Sequence, residues 1–478
     1  MGVIVQKFGG TSVGNGERLK HVAAIIRRTR EQHSVIAVVS AMSGTTKAEG
    51  TTSLLLGAAK SALSQVPFED ALVLVEKNHV AAVEQAVESE ALRTETIAFI
   101  RDELDRLRSF LKAIGVIREL SPRSQDAVLG VGERLSARIL SAVLLDRGTP
   151  AAYTDLSDLV PEGETEVDPA FFRRLERRLA QLCRPNGDAV PVVTGFFGMV
   201  PGGLLNAVGR GYTDFTTALI AAGLGKGEAL EMQVWKEVDG IFTADPRKVP
   251  NARVLSRVSA AEAAELTYFG SEVLHPFTME RVVAADVPIR IKNTFRPEGE
   301  GTVIAAYEGG GRPERATAVT TKAGVTVLTI TSNRMYNAYG FLARVFDALE
   351  RHGVVVDLVS TSEVSISCTV DRLAAAERAR ADLEQLGHVV LAPNRAILSI
   401  VGEGMKYATG TAGTMFSTLG EAGVNVEMIS QGASEINISC VVREEDAPKG
   451  LVAIHRAFLE PSEARATASS GPNATTGK

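Results

Sequence analysis

The segment Val5–Gly14, VQKFGGTSVG, is a β-like run that closes on a lysine and is followed at once by two glycines, a threonine and a serine. A Gly-Gly step lets the backbone approach a ligand closely, and a Thr-Ser pair has the chemistry of a helix cap. Lys7 adds a positive charge beside both. Together these features predict an anion site where a strand hands over to a helix, the position that ligands occupy in open α/β sheets. The spacing is neither the P-loop G-x-x-x-x-G-K-[ST] nor the dinucleotide fingerprint G-x-G-x-x-G. Taken alone, such a turn reads equally well as a structural loop.

Around this turn, Val3–Phe8 has a strand pattern, and from Glu17 onward Leu19, Val22, Ala23, Ile25 and Ile26 share one helical face. Ser34–Ser40, SVIAVVS, is a short β-branched run. This β-α-β unit, with its continuous apolar strand, predicts a mainly parallel sheet between helical layers. Residues 55–120 read as helices whose charges form solvated faces. Strands return at Ala189–Gly198 and Glu228–Trp235, with a helix over Tyr212–Leu224 between them. The last strand of this region is VPIRIKN, Val287–Asn293, and RPEGEGT after it is a turn-rich exit.

Past the Gly/Glu/Pro-rich stretch YEGGGRPERA, Tyr307–Ala316, the chain repeats itself. HGVVVDLVSTSEVSISCTV (His352–Val370) is echoed by AGVNVEMISQGASEINISCVV (Ala422–Val442). Gly353 and Gly423 are 70 residues apart, as are Asp357 and Glu427, whereas Cys368 and Cys440 are 72 apart, which implies a two-residue insertion. Each copy follows a strand-helix pattern, so two β-α-β-β units of ferredoxin-like order are expected.

A chain of 478 residues exceeds one ordinary core, and 45% hydrophobic with 23% charged residues describes a globular protein. A formal net charge of −6 argues against a nucleic-acid surface, so anion binding has to be local. No stretch approaches the roughly 18 apolar residues of a membrane span, and the N-terminus enters a strand pattern directly, so a cytoplasmic protein is expected. Cys183, Cys368 and Cys440 are widely spaced, which fits free thiols rather than a disulfide framework or a zinc site.

Three further places carry chemistry. In VGRGYTDFTTALIAAG, Arg210 lies between two glycines ahead of a helix whose first turn holds Thr213 and Asp214. Arginine there suits a carboxylate or phosphate, although a surface-loop arginine and a helix-start aspartate would look the same. Glu133 opens a helical pattern after glycines in GVGERLSARIL and could accept hydrogen bonds from an ammonium group. Trp235–Arg247, WKEVDGIFTADPR, joins a strand end to a polar turn and also reads as a plain hairpin. No His/Asp/Glu spacing suggests a resident metal site.

Taken together, KFGGTSVG, GRGYTDFTTALI, VDGIFTADPR, FGSEVLHP and TSEVSIS occur in an order that resembles the aspartate kinases of the amino-acid-kinase family, over about residues 3 to 443. TKAEGTTS, QVWKEVDGIFTADPRKVP and GSEVLHPFTME look closest to the fungal-type monofunctional enzymes. The resemblance implies a catalytic domain at 1–306, a linker at 307–318, ACT domains at 319–392 and 393–460, and a disordered tail at 461–478.

By the same resemblance, Lys7 neutralises charge on the transferring phosphoryl group and Asp214 orients it, while Gly9, Gly10, Thr11 and Ser12 form the phosphate-facing turn. Ser40, Thr46 and Phe196 seat aspartate, Glu133 holds its ammonium and Arg210 its α-carboxylate. Lys236, Glu237, Phe242 and Arg247 contact the nucleotide, ATP with Mg²⁺. Many bacterial members carry glycine where Tyr212 stands, tyrosine at Phe242 and lysine at Glu272, so Glu272 receives no role. Met335, Gly340, Phe341 and Asp357 are implied for an amino-acid effector, threonine ahead of lysine, and paired ACT domains imply at least a homodimer. A sister amino-acid kinase would share the sheet, and an amino-acid sensor with a decayed kinase domain would share the repeat. Neither accounts for an intact Lys7, Glu133, Arg210 and Asp214 beside that repeat.

Overall fold

The computed structural model describes residues 2–44, 50–161, 163–164, 166–209, 211–268, 274, 276–307, 316–332 and 339–460. Thr46, Arg210, Glu272, Met335, the tail at 461–478 and most of the linker lie outside the described residues. The chain forms two compact units, one of Met1–Ile241 with Val273–Ala305, the other of Phe242–Glu272 with Ala306–Lys478.

The first unit holds strands β1 (Val3–Phe8), β2 (Ser34–Val39), β3 (Ala151–Thr154), β4 (Val190–Thr194) and β5 (Ala229–Lys236). The two-residue β6 (Arg257–Val258) belongs to the second unit; β7 (Ile289–Asn293) and β8 (Thr302–Ile304) return to the first. Strand order within the first unit is β3-β4-β2-β1-β5-β7-β8. All neighbours are parallel except β7 and β8. The turn-rich exit after β7 is therefore a hairpin that adds one antiparallel strand, a common way to finish a parallel sheet.

Its helices are α1 (Gly16–Arg30), α2 (Thr51–Leu63), α3 (Glu69–Ala86), α4 (Glu90–Ile117), α5 (Pro122–Asp146), α6 (Pro169–Cys183), α7 (Leu204–Ala207) and α8 (Tyr212–Leu224). The β-α-β start is as the pattern predicts, with every residue of β1 buried and the named face of α1 packed in the core. The cap differs. Asn15 accepts from the Arg18 amide at 3.0 Å, so Thr11 and Ser12 stay in the turn instead of capping the helix. Because β1 leads outward to β2 on one side and pairs with β5 on the other, its carboxyl end is a topological switch point.

The second unit adds α9 (Ala260–Tyr268), whereas α10 (Pro276–Ala284) lies in the first. Its remaining elements run β9 (Ala318–Thr331), α11 (Phe341–Arg351), β10 (Val356–Thr361), β11 (Ser365–Val370), α12 (Leu373–Glu384), β12 (His388–Val401), α13 (Thr411–Glu421), β13 (Met428–Gln431), β14 (Asn437–Arg443) and α14 (Ala447–Leu459). One antiparallel sheet, ordered β10-β11-β9-β12-β14-β13, serves both repeats. The two-residue insertion falls in a hairpin turn, which spans 362–364 in the first copy and 432–436 in the second. A turn absorbs added length at little cost.

The repeats interlock. β9 and β12 each turn a corner, at Gly324 (φ 76°) and Asn394 (φ 59°), residues that tolerate the left-handed region. Beyond the corner Val319 pairs with Ile400, and both enter the core formed by α13 and α14 with β14. The linear boundary between 392 and 393 thus lies within β12, and the start of β9 serves the second repeat. Phe242–Glu272 also packs in this unit, where Ala244 and Val249 join the same core. The Glu262 carboxylate, fully buried, accepts from the Ser259 and Glu403 amides, each at 2.9 Å.

Among the described residues no helix is long and apolar enough to cross a membrane. The three cysteines are free, and burial pushes their thiols up to about 12.

Candidate active site

At the carboxyl end of β1 the Lys7 ammonium lies 2.8 Å from the Asp214 carboxylate, and both residues are 8% exposed. Asp214 sits in the first turn of α8, where the helix dipole favours an anion. Of the two glycines after Lys7, Gly10 is required by crowding. A Cβ on Gly10 would fall 2.5 Å from the Ala41 carbonyl oxygen, and one on Gly9 would press on Nζ of Lys7 at 3.4 Å. The turn is tied down on every side: the Ser43 amide donates to the Gly10 carbonyl (3.0 Å), Arg18 donates to the Thr11 carbonyl (2.9 Å), and the Ser12 and Thr294 hydroxyls meet at 2.8 Å.

Ser40 follows β2 and its amide donates to the Phe8 carbonyl at 3.1 Å, so the ends of two central strands are stitched together. The Ser40 carbonyl accepts from the Ser136 hydroxyl on α5 at 2.7 Å. That bond fixes α5 at the turn that carries Glu133. Gly10, Thr11, Ser40, Ala41, Ser43 and Tyr212 contribute to the wall of a cavity of about 370 Å³, within the range of small-molecule sites. The turn after Lys7 and the partner of Glu133 therefore face one space.

Glu133 is completely buried. Its Oε1 accepts from the Tyr212 hydroxyl at 2.7 Å, while Oε2 has no hydrogen-bond partner among the described residues. Burial raises its carboxyl to about 7, against the opposing hydrogen bonds from Tyr212 and the Ala41 amide. A buried carboxylate with one unfilled oxygen suits a cationic donor. Two turns earlier on α5, Asp126 accepts from the Leu204 amide at 2.7 Å and anchors the segment that leads to α8. Burial, partly offset by backbone donors, raises its carboxyl to about 6.

Not every expected residue joins this space. Phe196 is 2% exposed with its ring beside Gly130 on α5 and, like Glu133, is not among the residues that line the cavity. Lys236 ends β5, with its carbonyl accepting from the Thr294 amide at 2.8 Å, and Glu237 is exposed beside it. Phe242 and Arg247 belong to the second unit, where Phe242 bridges to Val254 and Arg247 forms an exposed pair with Asp245 at 3.0 Å. Thr46 and Arg210 lie outside the described residues.

Tyr212 is the cavity-lining partner of Glu133 that motif reading misses. At the first position of a buried helix it looks like core, and only its place between Arg210 and Asp214 in a run of small residues hints at more.

In the second unit, Gly340 caps α11 with φ 75° and Phe341 is buried. The carboxylate of Asp357 is paired with Lys322 at 2.7 Å, and Lys322 also reaches Asp371 at 2.6 Å. The corresponding place in the second repeat holds Glu427 paired with Arg395 at 2.6 Å.

A glycine turn at a switch point, a buried lysine paired with an aspartate and a buried glutamate with one unfilled oxygen stand at this end of the sheet, the place where small-molecule sites of open α/β folds lie. Residues 2–293 match the amino acid kinase family, and residues 328–385 and 398–458 match the ACT domain. The chain belongs to the aspartokinases of that family: it is 45% identical over 488 residues to the aspartokinase of Schizosaccharomyces pombe, across 96% of this chain and 93% of that one. It is 44% identical to the aspartokinase of Saccharomyces cerevisiae, across 95% and 92%. E. coli aspartokinase III in complex with aspartate and ADP superposes with a TM-score of 0.75 at 28% identity, across 96% of this chain and all of that one. The Clostridium acetobutylicum aspartate kinase gives 0.78 at 25% identity, across 95% and 100%.

Proposed function

We propose that the protein transfers the γ-phosphoryl group of ATP to the side-chain carboxylate of L-aspartate, giving 4-phospho-L-aspartate and ADP. One observation carries this reading: the turn after Lys7 and the Tyr212 partner of Glu133 line the same cavity. The E. coli relative that binds aspartate and ADP supports it.

The aspartate β-carboxylate, with a pKa of about 4, is already ionised at neutral pH and requires no general base. One of its oxygens attacks the γ-phosphorus, the bond to the β-phosphate oxygen breaks, and ADP leaves. The barrier lies in bringing a carboxylate to a triphosphate, so catalysis consists of alignment and charge cancellation. Lys7, held by Asp214, supplies positive charge at the turn formed by Gly9, Gly10, Thr11 and Ser12. Glu133 holds the substrate ammonium through Oε2, Ser40 and Thr46 seat the molecule, and Arg210 takes its α-carboxylate.

Lys236, Glu237, Phe242 and Arg247 are the proposed nucleotide contacts. The magnesium ion is carried by the nucleotide phosphates, where it neutralises their charge.

The product is assigned to the first step of lysine, threonine and methionine synthesis, in the cytoplasm, under feedback through the ACT domains of a homodimer or larger oligomer. Threonine is the favoured effector and lysine the second, at Met335, Gly340, Phe341 and Asp357. A relative from E. coli binds lysine. Any effector ammonium would have to compete with Lys322 for Asp357.

Hydroxylamine trapping with L-aspartate and MgATP tests both parts. Aspartyl hydroxamate that forms, and disappears on addition of threonine or lysine, supports the reaction and its control. Absence of hydroxamate from protein that binds both substrates refutes the reaction.

A further inference from the structure

Glu133 poses a physical problem. It is wholly buried behind Tyr212, which lines the cavity, yet the proposed role requires it to be ionised when an ammonium group arrives. Its neighbours are few. Arg134, next on α5, turns away to Glu103 of α4 (2.7 Å) and to the Ser157 hydroxyl (3.2 Å), and so gives Glu133 charge at a distance but no hydrogen bond. Asp126, on the same helix, is occupied by the amide of Leu204. From the facing helix α8 comes the Tyr212 hydroxyl, 2.7 Å from Oε1, and from the segment after β2 the Ala41 amide, which also favours the charged form.

We infer that Tyr212 is a positioning residue for substrate recognition: by donating its phenol proton to Oε1 it keeps Glu133 ionised and presents Oε2 as the acceptor for the amino group of the substrate. The inference rests on the proposed aspartate kinase reaction and adds to it a determinant of affinity that lies on α8, in the same turn as Asp214. The phenol is suited to this because it is itself 4% exposed and does not compete by ionising; burial and the Glu133 charge push its own pKa up. The hydroxyl shapes binding before any bond to phosphorus forms. Its loss is therefore expected in KM for aspartate more than in kcat.

The test compares wild type with Tyr212→Phe, measuring hydroxamate formation and calorimetric aspartate binding between about pH 6 and about pH 8.5. Expected is a KM for aspartate raised about tenfold near neutral pH with kcat within about threefold. The deficit should shrink as the pH rises, because alkali restores the carboxylate that the phenol no longer stabilises. Incorporation of fluorotyrosine at 212, which preserves shape and strengthens the donor, should shift the KM profile to lower pH; this arm serves if the phenylalanine variant does not fold.

A Tyr212→Phe protein with wild-type KM across the range overturns the inference, as does a fluorotyrosine profile that does not move. Wild-type protein that neither binds aspartate nor forms hydroxamate overturns the functional reading, and the inference with it. Wild-type activity with an indifferent Tyr212 overturns the inference alone.

Discussion

Lys7 lies 2.8 Å from Asp214 in the first unit, and Lys322 lies 2.7 Å from Asp357 in the second. The two pairs are alike in chemistry and length but not in surroundings. Among the described residues Lys7 is matched by one carboxylate, and it stands at the head of a glycine turn beside a cavity. Lys322 is held by two carboxylates, Asp357 and Asp371, and bridges strands of one sheet. Although burial opposes its charge, the hydrogen bonds to those carboxylates raise its pKa. A lysine–aspartate contact therefore says little by itself. The charge left over, and the space it faces, separate a group that can act on phosphate from one that ties a sheet together.

The sharpest way to break this contrast is to remove each lysine. Lys7→Ala should lower kcat in the hydroxamate assay by about 10³-fold while calorimetry still detects aspartate binding; a kcat within tenfold would remove Lys7 from the chemistry. Asp214→Asn, which keeps the lysine but frees it to move, should cost about 10²-fold.

The next largest effect is expected at Glu133, whose folded pKa is raised from 4.5 to about 7. The stability of its neutral form is fully present below the unfolded value and is lost as pH rises through the folded one. An arriving ammonium reverses that preference, so aspartate binding favours the ionised form. KM for aspartate should consequently fall about tenfold as pH rises from about 6 to about 8, whereas in Glu133→Gln this pH dependence should vanish.

Smallest is the effect expected of Lys322→Ala. Its kcat without effector should stay within about twofold of wild type, while the threonine or lysine concentration for half inhibition drops several-fold, since the effector ammonium no longer competes for Asp357. Unchanged inhibition curves for both amino acids would make the Lys322 pair purely structural.

The opening turn was legible because glycine, lysine and strand periodicity act locally, and the structure adds only that Asn15 rather than Thr11 or Ser12 caps α1. The repeat and its two-residue insertion were legible, though not that the insertion sits in the second hairpin turn or that β9 and β12 exchange halves across the boundary. What could not be read depends on distant partners. Nothing near Phe242–Glu272 announces that Thr243 will accept from the Val319 amide at 2.8 Å. Nothing near Tyr212 shows that its hydroxyl reaches a glutamate 79 positions earlier. Hydrophobic period reports which face is buried, not what lies opposite it.

The corner in β9 has a consequence for inheritance. A duplicated segment can ordinarily be lost or exchanged one copy at a time. Here the two copies have traded strand halves, for Val319 joins a layer most of whose members lie beyond residue 395. A chain cut at 392 would keep the first repeat yet leave Ala318–Lys322 as a bare strand edge, a template for pairing with a second such chain. Deletion of either copy alone would thus yield a sticky fragment rather than a smaller regulator, and selection against such fragments would keep the pair together.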